Sequence, residues 1–217
     1  MGTITHSNLC TEIVQFSSPT ETAVCNLASI VLSKFVAADR RRFDYSGLHR
    51  AVEILVYNLN RVIDNNKYPL QGSSVSNMAH RSVGIGVQGL ADTFTVLRLP
   101  FDSVPARLLN ERIAQTIYHA AIEASCDLVP VFGRYPSFQG SPASQGIFQF
   151  DLWGVDPTNV YYDWHSLKLK VVQHGLANSL LVAMMPTAGT SQIMGCTESF
   201  EPVVRLVYLI NFYLLSL

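Results

Sequence analysis

The chain has 217 residues, of which 48% are hydrophobic and 14% are charged, and its formal net charge is −1. This length suits one domain with a substantial core, and the low charge and high apolar content exclude an intrinsically disordered chain. The balance of 15 basic and 16 acidic residues argues against a nucleic-acid partner that is held through a basic surface.

Helical spacing of apolar residues predicts most of the regular structure. Helices are expected over residues 23–36, 46–65, 90–99, 103–128 and 167–172, and an apolar strand over 179–185. The stretch 132–163 is rich in Gly, Pro, Ser and aromatic residues, which is typical of a long structured loop. The alternation of long helices with short apolar strands predicts an α/β architecture with a mostly parallel sheet.

The two ends of the chain and its cysteines bear on location. Residues 203–217 are mostly apolar with one charge, that of Arg205, but they are too few for the ~20-residue helix that crosses a membrane, so no membrane partner is expected. No secretory leader is visible, and the four cysteines form no Cys-x-x-Cys pair, which together fit a reducing, cytoplasmic location. The six histidines show no ligand spacing, so no metal site is expected.

The first candidate site is Asn-Leu-Cys-Thr-Glu at residues 8–12. In an extended segment Asn8, Cys10 and Glu12 would line one face, and the residues between them would point the other way. That face would offer an amide, a redox-active thiol and a base. The residues alone favour a plainer alternative, in which the cysteine is a small core residue and the glutamate is solvated.

Three further features of the sequence bear on a possible ligand or reactive site. Residues 186–192 offer hydroxyls, a glycine and a helix start, which suit a phosphate, although a plain helix cap is the commoner alternative. Cys25 is predicted at the start of a helix, where the dipole would lower the pKa of its thiol. Residues 84–89 match the dinucleotide pattern G-x-G-x-x-G, but the preceding residues are too polar for a central strand and Asp92 follows too early. Tight packing or an unusual turn explains these glycines better.

Several longer motifs occur together in one order. They are SNLCTEI at 7–13, AVCNLAS at 23–29, HRSVGIGVQGLAD at 80–92, EASCDL at 123–128, W-x-x-L at 164–167, G-x-x-NSLL at 175–181 and MPTA at 185–188. With these motifs the chain resembles, over residues 7–202, the large catalytic subunit of class I ribonucleotide reductase of the eukaryotic and viral type. The resemblance implies that residues 1–202 are part of a ten-stranded α/β barrel with the active cysteine on a central loop. Residues 203–217 depart from it as a divergent apolar tail.

The resemblance also implies roles for the first candidate site. Cys10 would be the thiyl-radical cysteine that takes the 3′ hydrogen from the ribose, Glu12 the base at the 3′ hydroxyl, and Asn8 the amide that hydrogen-bonds the sugar. Cys25 would be one of two thiols that reduce the 2′ position and become a disulfide, and the partner of Cys25 would lie outside this chain.

For the second candidate, the resemblance implies a loop that holds the substrate diphosphate. Its residues would be Thr187, Ala188, Gly189 and Thr190. Gly189 stands where the family usually has a hydroxyl residue, so one phosphate contact would differ.

The activity implied is the reduction of ribonucleoside diphosphates to deoxyribonucleoside diphosphates. No cofactor would bind directly, because a metal-containing small subunit supplies the radical and an external dithiol, thioredoxin or glutaredoxin, supplies the electrons. The ATP and deoxynucleotide effector sites would lie outside this chain, and the full-length enzyme would be a large-subunit homodimer. The chain alone is expected to be inactive. The alternative is a truncated, non-catalytic product that at most pairs with intact subunits.

Overall fold

The computed structural model describes residues 3–5, 7–8, 10–157 and 161–203, so nearly all of the expected tail at 203–217 lies outside the described residues. The described elements, in chain order, are β1 (Asn26–Val31), α1 (Tyr45–Asn65), α2 (Gln71–His80), β2 (Val83–Gln88), α3 (Leu90–Val96), α4 (Val104–Asp127), α5 (Val129–Phe132), α6 (Gln149–Leu152), α7 (Trp164–His174) and α8 (Ala188–Met194). Short 3-10 helices cover Leu32–Phe35, Pro136–Phe138 and Pro142–Gln145.

A parallel strand layer lies at the centre of the described residues. β1 and β2 pair in parallel, with Asn26 beside Val83 and Val31 beside Gln88. Residues 180–185 run along the other side of β2, where Val182 forms a parallel bridge with Ile85. The strand expected at 179–185 is therefore an extended segment with one bridge. The α/β architecture is confirmed, and the described strands form an open layer.

The glycines of residues 84–89 let the chain segments beside β2 approach closely. A Cβ on Gly86 would overlap the carbonyl oxygen of Ala183, and a Cβ on Gly84 would lie 2.6 Å from Cδ2 of Leu27. Gly89 has a φ of +73°, which favours glycine, and it leads directly into α3. Tight packing and an unusual turn are thus confirmed. Since the first two glycines lie inside β2, no phosphate-binding turn of the dinucleotide type is formed there.

The helix expected over residues 23–36 is wrong. This stretch holds β1 and the 3-10 helix Leu32–Phe35 instead. Its apolar residues recur at helical spacing, but Ile30 and Val31 are β-branched and the backbone is taken up by pairing with β2. Tertiary pairing therefore overrides a short periodic pattern.

The long helices agree with expectation. α1 begins after Asp44, whose carboxylate accepts a hydrogen bond from the Gly47 amide at 2.8 Å, and α4 begins after Ser103, whose hydroxyl accepts from the Ala106 amide at 3.3 Å. α1 and α4 pack against each other around buried aliphatic side chains. α7 is longer than the helix expected at 167–172. The stretch 132–163 is a structured loop with short helical turns, as expected, although residues 158–160 lie outside the described part.

A buried polar network ties the helices to the strand layer. Asn60 of α1 and Asn178 exchange two amide hydrogen bonds of 2.9 and 3.0 Å. Asn178 also donates to the Arg81 carbonyl at 2.7 Å and accepts from the Ser125 hydroxyl at 3.0 Å. The Arg81 guanidinium donates to Asp64 at 2.7 Å. Every buried amide in this network therefore has a partner, which holds four distant chain segments together.

None of the helices that the structure describes has the length and hydropathy needed to cross a membrane.

Candidate active site

The segment that carries Cys10 forms a turn. The Thr11 amide donates to the Asn8 carbonyl at 3.1 Å, and the Asn8 side-chain oxygen accepts from the Ile13 amide at 3.1 Å. Thr11 has a φ of +60°, in the left-handed region. The expectation of an extended segment with alternating faces is therefore wrong, because the Asn8 side chain folds the backbone back on itself. Cys10 is exposed, and Leu9 lies outside the described residues.

Cys25 lies directly before β1, in extended chain and not at a helix start. Its Sγ faces β2, so that a Cβ added to Gly84 would lie 3.4 Å from it. The pKa of the Cys25 thiol is raised to about 12, mainly because burial disfavours the thiolate; the Gln15 side-chain hydrogen bond offsets part of this rise and the charge of Glu12 adds to it. The expected lowering of this pKa by a helix dipole is therefore wrong, because no helix begins there.

Glu12 interacts electrostatically with Cys25, because its carboxylate raises the pKa of the Cys25 thiol. On the same two chain segments, the side-chain atoms Glu12 Oε2 and Asn26 Nδ2 are buried and have no hydrogen-bond partner among the described residues. Buried polar groups are normally paired. These two atoms are therefore available to bind a polar ligand.

The turn at residues 187–190 begins α8, as expected. Thr187 is buried with a φ of +61°, and its hydroxyl oxygen accepts from the Ser199 amide at 2.9 Å. The Thr190 hydroxyl donates to the Thr187 carbonyl at 3.3 Å, whereas Ala188 and Gly189 are exposed. Two nearby hydroxyls that follow the helix, those of Thr197 and Ser199, are buried and have no hydrogen-bond partner in the described part of the chain. This turn therefore also presents unpaired polar groups.

Cys25 and the turn at residues 187–190 lie at opposite ends of the parallel strand layer. Cys25 precedes the amino end of β1, whereas Thr187 follows the carboxyl end of the segment that runs beside β2. Sequence spacing could not show this, because it depends on how the strands pair.

The remaining cysteines are structural, as expected. Cys126 is buried in α4, with its Sγ 3.8 Å from the Lys170 carbonyl oxygen, and burial raises its pKa. Cys196 lies beside Gly89, where a Cβ on that glycine would be 3.2 Å from the cysteine Cβ.

Sequence reasoning missed a cluster of ligating groups at the α1–α4 contact. His49, His119 and Glu123 place one ring nitrogen each and a carboxylate oxygen within 4.8 Å of one another. The spacing of His119 and Glu123, four residues apart on α4, was the available signal, but His49 is 70 residues away from His119 in the sequence.

Comparison with known proteins identifies the class. The family model described as "Ribonucleotide reductase, barrel domain" matches residues 1–211, so the chain belongs to the ribonucleotide reductase barrel domain family.

Among curated proteins, the chain is 55% identical over 208 residues to the ribonucleoside-diphosphate reductase large chain of Schizosaccharomyces pombe. It is 53% identical over 208 residues to the large subunit of Plasmodium falciparum (isolate Dd2), and 53% identical over 212 residues to large chain 2 of Saccharomyces cerevisiae. Each match covers 96% of this chain but only 24–26% of the relative, so the chain spans about a quarter of the length of these proteins.

Proposed function

We propose that this chain is a segment of the catalytic barrel of a ribonucleoside-diphosphate reductase large subunit, which reduces ribonucleoside diphosphates to deoxyribonucleoside diphosphates for DNA synthesis. The observation that carries the proposal is the electrostatic interaction of Glu12, on the loop that also holds Cys10, with the partly buried thiol of Cys25. Membership of the family and the names of its relatives support it.

In the proposed reaction a thiyl radical at Cys10 takes the 3′ hydrogen atom of the ribose, and Glu12 accepts the 3′ hydroxyl proton while Asn8 holds the sugar. The 2′ hydroxyl then leaves with a proton as water. Cys25 and a second thiol outside this chain supply two electrons and two protons and become a disulfide. Cys10 finally returns its hydrogen atom to the 3′ carbon, and Glu12 returns its proton.

The raised pKa of Cys25 suits this role. A thiol with a pKa of about 12 keeps its proton at neutral pH, so Cys25 can deliver hydrogen together with its electron. A nucleophilic cysteine needs the opposite shift, because the thiolate is its reactive form. The pKa therefore favours a reducing thiol over a nucleophile at this position.

The substrate diphosphate would be held by the turn at 187–190, in which Ala188, Gly189 and Thr190 are exposed residues. Because this turn and Cys25 lie at opposite ends of the strand layer, the proposal requires the Cys10 loop to lie between them in the complete protein. Residues 1–202 would then contribute to a ten-stranded barrel, with 203–217 as a divergent tail.

The complete protein would take its radical from a metal-containing small subunit and its electrons from thioredoxin or glutaredoxin. It would form a large-subunit homodimer in the cytoplasm, with the nucleotide effector sites on segments outside this chain. Membership of the family and the words "large subunit" in the name of a relative support a small-subunit partner; the dithiol, the homodimer and the effector sites are proposals.

A chimera tests the residue roles. Residues 8–202 replace the matching segment of the S. pombe large chain, and the formation of dCDP from CDP is measured with the S. pombe small subunit and a dithiol. We expect turnover that is lost in Cys10→Ala and Cys25→Ala and kept in the matched control Cys126→Ala. With CDP tritiated at the 3′ carbon, Cys25→Ala should still cleave the 3′ C–H bond, whereas Cys10→Ala should not.

Turnover that survives Cys10→Ala would overturn the assignment of the radical cysteine. So would a distance between spin labels at positions 10 and 187 of the chimera that is too large for one ribonucleoside diphosphate to span. A separate assay uses the purified 217-residue chain with a small subunit and a dithiol. We expect no deoxynucleotide, and measurable formation would refute the proposal that the chain alone is inactive.

A further inference from the structure

We propose that His49, His119 and Glu123 form a binding site for a divalent transition metal ion, with zinc as the best fit, at the contact between α1 and α4. This site lies apart from the Cys10 loop and from the turn at 187–190, and it does not depend on the reductase activity.

The distances among the three ligating atoms fit one ion. Nε2 of His49 lies 3.3 Å from Nδ1 of His119 and 3.5 Å from Oε2 of Glu123, and Nδ1 of His119 lies 3.9 Å from the same oxygen. A point equidistant from three atoms at these separations is about 2.1 Å from each, which is the length of zinc bonds to histidine nitrogen and carboxylate oxygen. The separations of the three atoms therefore allow them to share one ion.

The two helices present these groups rigidly. His119 and Glu123 are one turn apart on α4 and so lie on one face, and His49 faces them from α1. The His119 ring stacks on Tyr162 at a centroid distance of 4.4 Å and meets the edge of Trp164 at 5.3 Å. The side chains of His49 and His119 are only 18% and 11% exposed, so their rings have little freedom to turn away.

Glu53 provides the outer support that a ligating histidine usually has. Its Oε1 lies 2.8 Å from Nδ1 of His49, one turn along α1, a contact that favours the tautomer in which Nδ1 carries the proton and Nε2 is free to bind a metal ion. Such a carboxylate–histidine pair fixes the tautomer and the ring orientation of a metal ligand.

Without an ion, the two rings pair with each other: Nδ1 of His119 and Nε2 of His49 lie within hydrogen-bond distance at 3.3 Å, and Oε2 of Glu123 lies 3.5 Å from the same His49 nitrogen. A bound cation would replace this single ring–ring hydrogen bond with three ligand bonds. Lys170 of α7 pairs with Asp127 at 2.6 Å.

The donor set selects the class of ion. Two imidazoles and one carboxylate suit zinc and its neighbours, whereas magnesium and calcium prefer all-oxygen sites. The Glu123 side chain is 34% exposed, which leaves a path for the ion and a fourth position for water.

The test is metal binding by the purified, chelator-treated 217-residue chain. Zinc is titrated calorimetrically, and cobalt(II) is added separately because its visible absorption reports a low-coordinate site. We expect one ion per chain. His49→Gln, His119→Gln and Glu123→Gln should each weaken zinc binding by at least 100-fold and abolish the cobalt bands, whereas Glu53→Gln should weaken zinc binding by about 10- to 100-fold and keep the stoichiometry. The exposed histidine variant His165→Gln is the matched control and should bind as the unaltered chain does.

Far-UV circular dichroism of each variant separates loss of the site from loss of the fold, and the part-exposed Glu123→Gln is the variant least able to disturb packing. The proposal is overturned if the unaltered chain binds no zinc at a 1:1 ratio. It is also overturned if folded Glu123→Gln binds as tightly as the unaltered chain, or if binding is lost equally in His165→Gln.

Discussion

Replacing Asn178 with alanine should be among the most destabilising single changes in this chain. Asn178 is fully buried, and its side chain makes four hydrogen bonds, two with Asn60 and one each with the Arg81 carbonyl and the Ser125 hydroxyl. At about 1 kcal/mol net for each bond, with a buried carbonyl left unpaired, Asn178→Ala should lower the free energy of unfolding by about 4 kcal/mol. That is a large share of the 5–15 kcal/mol that stabilises a typical domain.

The assay is urea unfolding of the 217-residue chain, followed by circular dichroism. Asn65→Ala is the matched control, because Asn65 is exposed and makes a single side-chain bond to the Arg61 carbonyl, so its loss should cost less than about 0.5 kcal/mol. Asn178→Asp keeps the size of the side chain but turns a donor into an acceptor against the Arg81 carbonyl, so it should be about as damaging as alanine. If Asn178→Asp is tolerated, or if Asn178→Ala costs less than about 1 kcal/mol, packing and not hydrogen bonding stabilises this position and the reasoning is refuted.

Three further outcomes follow from the strand layer and its cysteines. Gly86→Ala should sharply lower the urea midpoint of unfolding, because the new Cβ would overlap the Ala183 carbonyl oxygen. The control Gly189→Ala, in open space on α8, should leave this midpoint unchanged or raise it. Equal midpoint shifts in the two variants would contradict the packing argument. Iodoacetamide at pH 8 should label exposed Cys10 well before Cys25, whose thiol is partly buried and has a raised pKa. Peptide mass spectrometry measures the order of labelling. The reverse order would contradict the environment described for Cys25. The pKa of Cys25 is raised from 9.0 to about 12 in the folded chain, so the folded state holds the thiol proton more tightly than the unfolded state does. The contribution of this thiol to the free energy of unfolding should therefore be complete below pH 9 and fall as pH rises from 9 towards 12. Cys25→Ala should flatten this part of the curve of unfolding free energy against pH.

The sequence predicted the elements whose stability is mainly local. α1 and α4 have long apolar stripes and side-chain caps at Asp44 and Ser103, so their boundaries could be read within one or two residues. β1 and β2 could not be predicted, because β1 has apolar spacing that also fits a helix and β2 contains two glycines. The two strands pair with each other, and β2 also pairs with residues 180–185; neither contact is visible from local sequence.

In the candidate site, too, the features set by local sequence could be predicted and those set by tertiary contacts could not. The motifs indicated which residue types matter, and the turn at 187–190 was correctly expected to open a helix. The prediction of an extended segment around Cys10 was wrong, because the Asn8 side chain accepts a hydrogen bond from the backbone of its own loop and Thr11 adopts a left-handed conformation. The pKa of the Cys25 thiol was expected to be lowered but is raised, because Cys25 lies partly buried beside β2 and no helix begins there. Whether Cys10 and Cys25 act as proposed stays a prediction.

The buried amide network has a consequence for how the chain is made. Asn60 and Asn178 are 118 positions apart, and both contact groups on segments between them. During synthesis, Asn60, Arg81 and Ser125 leave the ribosome well before Asn178 exists, so the nascent chain must carry unmatched polar groups inside its forming interior for several seconds at ordinary elongation rates. The finished arrangement can close only after Asn178 has been synthesised and has left the ribosome, so this part of the polypeptide depends on protection from aggregation until then.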